Sequence, residues 1–260
     1  MGGNVPVPPQ DKTLVFCNWH ASNSDYPVGY SSIFNGLDIG EKSLVKYKNI
    51  VEAKFISRPN RFIAQVDIDG QEVTVHVKNT GRCKELLLPG RTVYLEKATN
   101  PERKTPYDLV AVETPIGIIN IDSQAPNAVV KEWLEKQDYD YIDPEHKYGD
   151  SRIDFFMKKG EDEYLLEVKG CTLIKDGVGY FPDAPTERGV KHLRELAKAT
   201  KLGYKAMVAF VIQVDGVTEV RPNVETHPEF GVALQEAKDA GVQVLFLQCH
   251  VEKDLLEIIN

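Results

Sequence analysis

Between Ile50 and Asp122 apolar and polar positions alternate with a period of two, the pattern of half-buried strands. "IVEAKFIS" and "FIAQVDI" are two such runs, broken at Arg58-Pro59-Asn60. In "QEVTVHV", Val73, Val75 and Val77 face one way, and Thr74 and His76 face the other. His76 is therefore expected to point outward as an ordinary surface histidine. "TVYLEK" and "PYDLVAVETPIGIINID" supply the remaining runs. About five short strands in so few residues predict a small OB-like barrel over residues 45–122.

Past residue 122 the period lengthens. "APNAVVKEWLEKQ" places Val129, Val130, Trp133 and Leu134 at helical spacing, with Asn127 as the expected cap. "SRIDFFMKK" and "DEYLLEVKG" read as two strands joined by a tight turn. "PTERGVKHLRELAKATKLG" reads as a helix capped by Asp183 or Thr186, with Pro185 in its first turn. Val190, Leu193 and Ala197 are its expected buried stripe, and Arg188, His192 and Glu195 form a row along one edge. "YKAMVAFVIQ" and "VQVLFLQCHV" are near-continuous apolar strands, as when both faces are covered. The helix "HPEFGVALQEAKDAG" lies between them. The expected fold is α/β (α+β overall): the barrel, then a mixed sheet flanked by helices over residues 123–260. Residues 1–44, rich in Gly, Pro, Asn and Ser, hold no sustained period and are expected to be an irregular extension.

The chain carries a formal net charge of -8, yet Lys and Arg outnumber Asp and Glu across residues 45–122. That segment alone can follow phosphates by bulk charge. Its cations gather at turns and strand ends: Arg58, Arg61, Lys78, Arg82, Lys84, Arg103 and Lys104. "NTGR", Asn79-Thr80-Gly81-Arg82, combines free backbone N–H groups with a cation and reads as a phosphate cradle. The expected partner is nucleic acid. No apolar run is long enough to span a bilayer, and the N-terminus lacks a basic stretch followed by an apolar one. Cys17, Cys83, Cys171 and Cys249 are scattered without a C-x-x-C pair, so neither a zinc site nor a disulfide framework is expected. A cytoplasmic location fits that usage.

The two strands around Gly160-Glu161 carry the chemistry. A type II′ turn there pairs Lys159 with Asp162. Counting back sets Asp154 opposite Glu167 and Arg152 opposite Lys169. Asp154, Glu167 and Lys169 then converge on one surface, because positions i and i+2 share a strand face. Opposed carboxylates roughly 5 Å apart repel, and a divalent cation between them removes that repulsion. The plainer account of alternating charge on a strand is a solvated face.

A strand carrying Asp, a strand carrying E-x-K, and the helices around them look like the PD-(D/E)xK nuclease core. The strings "NRFIAQV", "NTGRCKELLLPG", "NPERKTPYDL", "KYGDSRIDF", "EVKGCTL" and "FPDAPTERGVKHLREL" together resemble the sugar fermentation stimulation protein family (SfsA). The similarity runs from about Lys46 to the C-terminus. It implies an OB-like domain followed by a PD-(D/E)xK nuclease-like domain, DNA binding, and a regulatory role in maltose metabolism. Two departures stand out: Ile153 replaces the proline of the nuclease signature, and residues 1–44 have no counterpart.

With the resemblance added, Asp154, Glu167 and Lys169 are the expected catalytic residues of a Mg²⁺-dependent phosphodiesterase, with Mn²⁺ as a substitute ion. The ion's expected ligands are Asp154, Glu167 and the Val168 carbonyl, with Glu132 acting through water. Expected nucleic-acid contacts are Arg58, Arg61, Asn79, Thr80, Gly81, Arg82, Arg103, Lys104, Arg152, Thr186, Arg188 and His192. The alternative is a sequence-nonspecific DNA-binding regulator that does not cleave. The resembling sequence opens at Val45 with "VKYKNIVEAKF", valine is readable as a GTG start, and Gly40-Glu41 fits a ribosome-binding sequence. Translation is therefore expected to start at Val45, read as Met.

Overall fold

The alternating runs form strands in the computed structural model, which describes residues 45–149 and 151–259. The expectations for residues 1–44 lie outside the described residues. In chain order the first strands are β1 (Val45–Lys46), β2 (Ile50–Ser57), β3 (Ile63–Ile68), β4 (Gln71–Val77), β5 (Thr92–Lys97), β6 (Tyr107–Thr114) and β7 (Gly117–Asn120). β3 and β4 are joined through Asp69-Gly70, both at positive φ (53° and 84°), as a type I′ hairpin requires. Strands β4, β3, β2, β5 and β6 pair in that order, and a parallel contact of β4 with β6 closes them into a barrel. Phe55, Val66, Val75, Val93, Leu95 and Leu109 fill its interior. Closure removes the exposed edges that a short open sheet would present.

The second half comprises α1 (Ala125–Glu135), β8 (Tyr141–Tyr148), β9 (Ser151–Lys159), β10 (Asp162–Cys171), β11 (Leu173–Lys175) and β12 (Val178–Phe181). It continues through α2 (Glu187–Thr200), β13 (Lys205–Ile212), β14 (Val220–Pro222), α3 (Pro228–Asp239), β15 (Gln243–Glu252) and β16 (Leu255–Ile258). The main sheet runs β1-β16-β15-β13-β10-β9-β8, parallel at β10–β13 and β13–β15 and antiparallel elsewhere. One face buries Val129, Val130 and Leu134 of α1 on Phe155, Met157, Leu166 and Val168. The other buries Val190, Leu193 and Leu196 of α2 and Phe230 of α3 with Phe156, Leu165, Val208 and Phe210. That second core is continuous with the barrel interior, and the described residues belong to one compact unit.

Four local features differ from the sequence reading. β8 was not expected; it carries Pro144, which an edge strand tolerates because one N–H side faces away from the ladder. β1 pairs with β16, so the first strand belongs to the large sheet rather than to the barrel. Asn127 does not cap α1; the N-cap is Gln124, without a side-chain bond, and Asn127 sits inside the helix. Thr186 does cap α2, its hydroxyl accepting from Gly189 N–H at 3.0 Å, and Pro185 precedes the cap instead of entering the first turn. No helix among the described residues is long and apolar enough to cross a membrane.

A buried polar network joins the barrel to the large sheet. Asn120 donates to Tyr47 Oη at 2.8 Å, and Tyr47 donates to Asp122 Oδ2 at 3.2 Å. Gln213, just past β13, donates to Asn120 Oδ1 at 3.0 Å and to the Asp122 carbonyl at 3.1 Å. Lys78 Nζ closes on Asp122 Oδ2 at 2.7 Å. Such a network supports the fold only while each member keeps a partner. Gln213→Leu removes both Gln213 donors and leaves the Asp122 carbonyl without this bond. The expected loss is about 1–3 kcal/mol in urea unfolding, the usual cost of breaking a buried hydrogen bond on one side. An unchanged midpoint and slope would contradict the role given to this network.

Candidate functional site

The β9–β10 turn is the two residues Gly160 and Glu161, with Gly160 at φ 58°. From it the ladder runs Lys159↔Asp162 to Phe155↔Leu166 and stops one pair short of Asp154 and Glu167. At that point the Val168 N–H donates to Asp154 Oδ2 at 2.7 Å. Asn127 Nδ2 reaches from α1 to Asp154 Oδ1 at 2.8 Å. Glu167 Oε1 takes hydrogen bonds from Lys169 Nζ and from the His192 ring. Arg188 Nε donates to His192 Nε2 at 3.3 Å, so the hydrogen of the neutral ring lies on Nδ1 and points to Glu167. Arg152 does not oppose Lys169. It pairs with Lys147 of β8, and its side chain reaches Glu145 at 3.4 Å.

The two carboxylates differ in their surroundings. Burial and then the Glu167 charge push the Asp154 carboxyl above its ordinary range, against the pull of Val168 N–H, Asn127 and Lys169. Burial also pushes Glu167 up, but His192 and Lys169 together outweigh it and hold that carboxyl below its ordinary range. Glu167 is 2% exposed, and its second oxygen, Oε2, is buried without a hydrogen-bond partner among the described residues. A buried carboxylate oxygen left open beside a second carboxylate is the environment a divalent cation satisfies. No three His, Cys, Asp or Glu side chains gather as a metal-binding group among the described residues. Two carboxylates alone are a small set of hard oxygen donors, which suits an ion that keeps waters, as Mg²⁺ does. Glu132 lies five residues beyond Asn127 on α1, about 7.5 Å further along the axis at 1.5 Å per residue.

The barrel loops are placed otherwise than expected. The Arg58 guanidinium points inward and donates to the carbonyls of Asn79, Arg61, Gly81 and Arg82, at 2.5, 2.8, 2.9 and 2.9 Å. Arg58 thus shapes the 79–82 loop from beneath and does not stand free for a phosphate. Asn79 closes the same loop: its Oδ1 accepts from Gly81 N–H at 2.6 Å and its Nδ2 donates to Ile121 O at 2.8 Å. The loop then meets residues 181–186. Arg82 donates to Asp183 O, and a Cβ at Gly81 would lie 2.5 Å from Asp183 Oδ2 and 2.8 Å from Asn79 Oδ1, so any larger residue would have to displace those side chains. Arg103 forks onto Asp108 at 2.7 and 2.8 Å. Asp108 also takes His76 Nδ1 at 2.8 Å, so His76 is not a plain surface histidine. Arg61 and Lys104 remain exposed.

Between the 79–82 loop and residues 180–186 lies a cleft of about 330 Å³, lined by Thr80, Pro126, Gly170, Thr186 and Gln213 among others. Gly170 follows Lys169 along β10, but Asp154, Glu167 and Lys169 themselves do not line this cleft. A second cleft, about 480 Å³, is lined by Ser151, Arg152, Arg188, Lys191 and His192. The sequence reading missed Asn127 and Gln213. Gln213 had a signal, a polar residue ending a strand that is otherwise apolar. Asn127 had none, because its spacing fits a cap equally well.

A family model described as the sugar fermentation stimulation protein RE domain matches residues 124–255. One described as the SfsA N-terminal OB domain matches residues 56–121. The chain is 52% identical over 216 residues to a sugar fermentation stimulation protein homolog of Desulfitobacterium hafniense, covering 82% of this chain and 95% of that one. A homolog of Clostridium beijerinckii is 52% identical over 218 residues, covering 82% and 96%. The solved structure of Pyrococcus furiosus SfsA in complex with Ca²⁺ superposes with a TM-score of 0.73 at 29% identity, covering 82% of this chain and 94% of that one.

The role of Arg58 is open to a direct check. Lysine keeps the charge but cannot reach four carbonyls with one ammonium. Arg58→Lys is expected to lose about 2 kcal/mol in thermal or urea unfolding, the scale of losing charged hydrogen bonds. Limited trypsin digestion should then cut sooner after Arg82. A variant as stable and as resistant as wild type would show that Arg58 does not hold this loop.

Proposed function

The chain belongs to the sugar fermentation stimulation protein family, and from that premise we propose that it hydrolyses nucleic-acid phosphodiesters, DNA foremost, with a bound divalent ion. The observation that carries the reading is the buried, unpartnered Glu167 Oε2 beside Asp154. The large majority of buried carboxylate oxygens are hydrogen-bonded, so an open one at 2% exposure is the exception. The Ca²⁺ in the Pyrococcus furiosus relative is consistent with a divalent ion in this family. Mg²⁺ is the proposed working ion, with Mn²⁺ as a substitute.

Asp154, Glu167 and the Val168 carbonyl would hold the ion, with Glu132 a candidate through water. When bound, it would supply Lewis-acid polarisation of the phosphoryl group and a more acidic water. The remaining steps belong to side chains. Asn127 and the Val168 N–H fix Asp154 in place, each through one carboxylate oxygen. His192, oriented by Arg188, holds Glu167 in its charged form. Lys169, bonded to Glu167, would bring its ammonium to the negative charge that develops on the phosphoryl oxygens. Arg152, Arg188 and Thr186 flank the site at the start of α2, where N–H groups favour an anion. Arg61 and Lys104 supply backbone contacts on the barrel. An OB barrel is a common platform for nucleic acid in general.

The test is cleavage of plasmid and oligonucleotides by purified protein in Mg²⁺, Mn²⁺ and EDTA. Asp154→Asn and Glu167→Gln should each lower metal-dependent cleavage about a hundredfold or more, and Lys169→Ala likewise, the scale of losing one electrostatic partner of a transition state. Metal-free binding of the two carboxylate variants should equal or slightly exceed that of wild type, because each removes a charge that repels phosphate. If wild type binds nucleic acid but cleaves no duplex, single strand or RNA, the non-cleaving DNA-binding reading replaces this one.

A further inference from the structure

Phe62 lies in the loop between β2 and β3 with 53% of its surface exposed. Its backbone is fixed on both sides. The N–H donates to Asn60 Oδ1 at 2.9 Å, and the carbonyl accepts from Val77 N–H at 2.8 Å. The ring is therefore presented to solvent by an anchored backbone. One exposed aromatic is ordinary on a protein surface; its neighbours set this one apart. Phe62 lines a cleft of about 420 Å³ together with His76, Thr80, Ser123 and Gln124. Asp108 engages His76 Nδ1, while His76 Nε2 has no hydrogen-bond partner among the described residues. The Arg61 guanidinium stands 5.9 Å from the Phe62 ring centroid.

The cleft thus offers a flat apolar plate, a ring nitrogen able to hydrogen-bond, an amide side chain and a nearby cation. An aliphatic side chain placed there would leave the His76 nitrogen and the Gln124 amide without partners. An aromatic base would cover the ring with its face and meet those polar groups with its edge. The cleft is also continuous with the one between the 79–82 loop and residues 180–186. Asn79, Thr80 and Ser123 line both it and the cleft that reaches Gly170.

Resting on the phosphodiesterase reading above, we propose that this cleft receives an unpaired nucleobase stacked on Phe62, and that the substrate class is single-stranded nucleic acid. In a duplex each base face is covered by its neighbours and only the edges are open. A stacking plate therefore discriminates for unpaired strands, whether DNA or RNA. Thr80 lines both clefts, so the strand would run from the barrel over the 79–82 loop toward Gly170.

The experiment uses the full chain in EDTA, so that binding is read without cleavage. Fluorescence anisotropy gives the affinity for a labelled DNA 12-mer, an RNA 12-mer and a DNA duplex of the same sequence. Wild type should bind at least one of the single strands more tightly than the duplex. Phe62→Leu keeps an apolar side chain and loses the plate. It should lower the ratio of single-strand to duplex affinity about fivefold to a hundredfold, the range for losing one stacked base. Phe62→Trp should keep or raise that ratio. A 2-aminopurine placed in the bound strand should change its fluorescence with wild type and the Trp variant but not with the Leu variant. Tight duplex binding with no preference for single strands, or equal ratios in all three proteins, overturns this inference and leaves the phosphodiesterase reading standing. Absence of binding to all three probes overturns both.

Discussion

The pairing of β9 with β10 ends at Phe155 and Leu166, and the candidate site follows from where it ends. One residue further the strands part enough for the Asp154 side chain to take the Val168 N–H. Asp154 is thereby tied to the strand that carries Glu167 and Lys169. The parallel pairing of β10 with β13 on the other side holds Glu167 and Lys169 at Val208 and Phe210. A rigid sheet thus sets the relative positions of three charged groups that flexible loops would hold loosely.

Placing two carboxylates there is unfavourable, and the surroundings offset the cost unequally. Glu167 is compensated by Lys169 and His192, and His192 is in turn oriented by Arg188. Among the described residues Asp154 has only neutral donors in direct contact, so its carboxyl is the one driven up by burial and by its neighbour. The compensation stops one atom short, at Glu167 Oε2. The barrel contributes through its 79–82 loop, which Arg58 holds against residues 181–186 to form one wall of the approach. The network of Tyr47, Asn120, Asp122 and Gln213 keeps that wall in register with the sheet.

Much of this was legible in the chain because short-range rules decide it. Alternation located the barrel strands, and Gly160-Glu161 gave the register that brings Asp154 toward Glu167. Arg58 and Arg103 were misread because a loop arginine looks the same whether it faces water or caps carbonyls. What separates the two cases is the position of residues 79–82 and of Asp108, which lie on other strands. His76 was read outward for the same reason: its partner Asp108 is brought to it by the parallel β4–β6 closure. β8 was hidden by Pro144, and only its place at the sheet edge makes that residue acceptable. Asn127 looked like a helix cap, and its real contact depends on how α1 packs across β9 and β10.

The proposed function requires that Glu167 Oε2 and Asp154 face one divalent ion. A crystal of the protein soaked in Mn²⁺ and measured at the manganese absorption edge tests it most directly. An anomalous peak is expected within about 2.0–2.3 Å of Glu167 Oε2 and an Asp154 oxygen, the range of hard-cation oxygen bonds. The peak should be absent from Glu167→Gln crystals treated alike. Peaks elsewhere only, or a peak at Asp154 that survives the substitution, would contradict it.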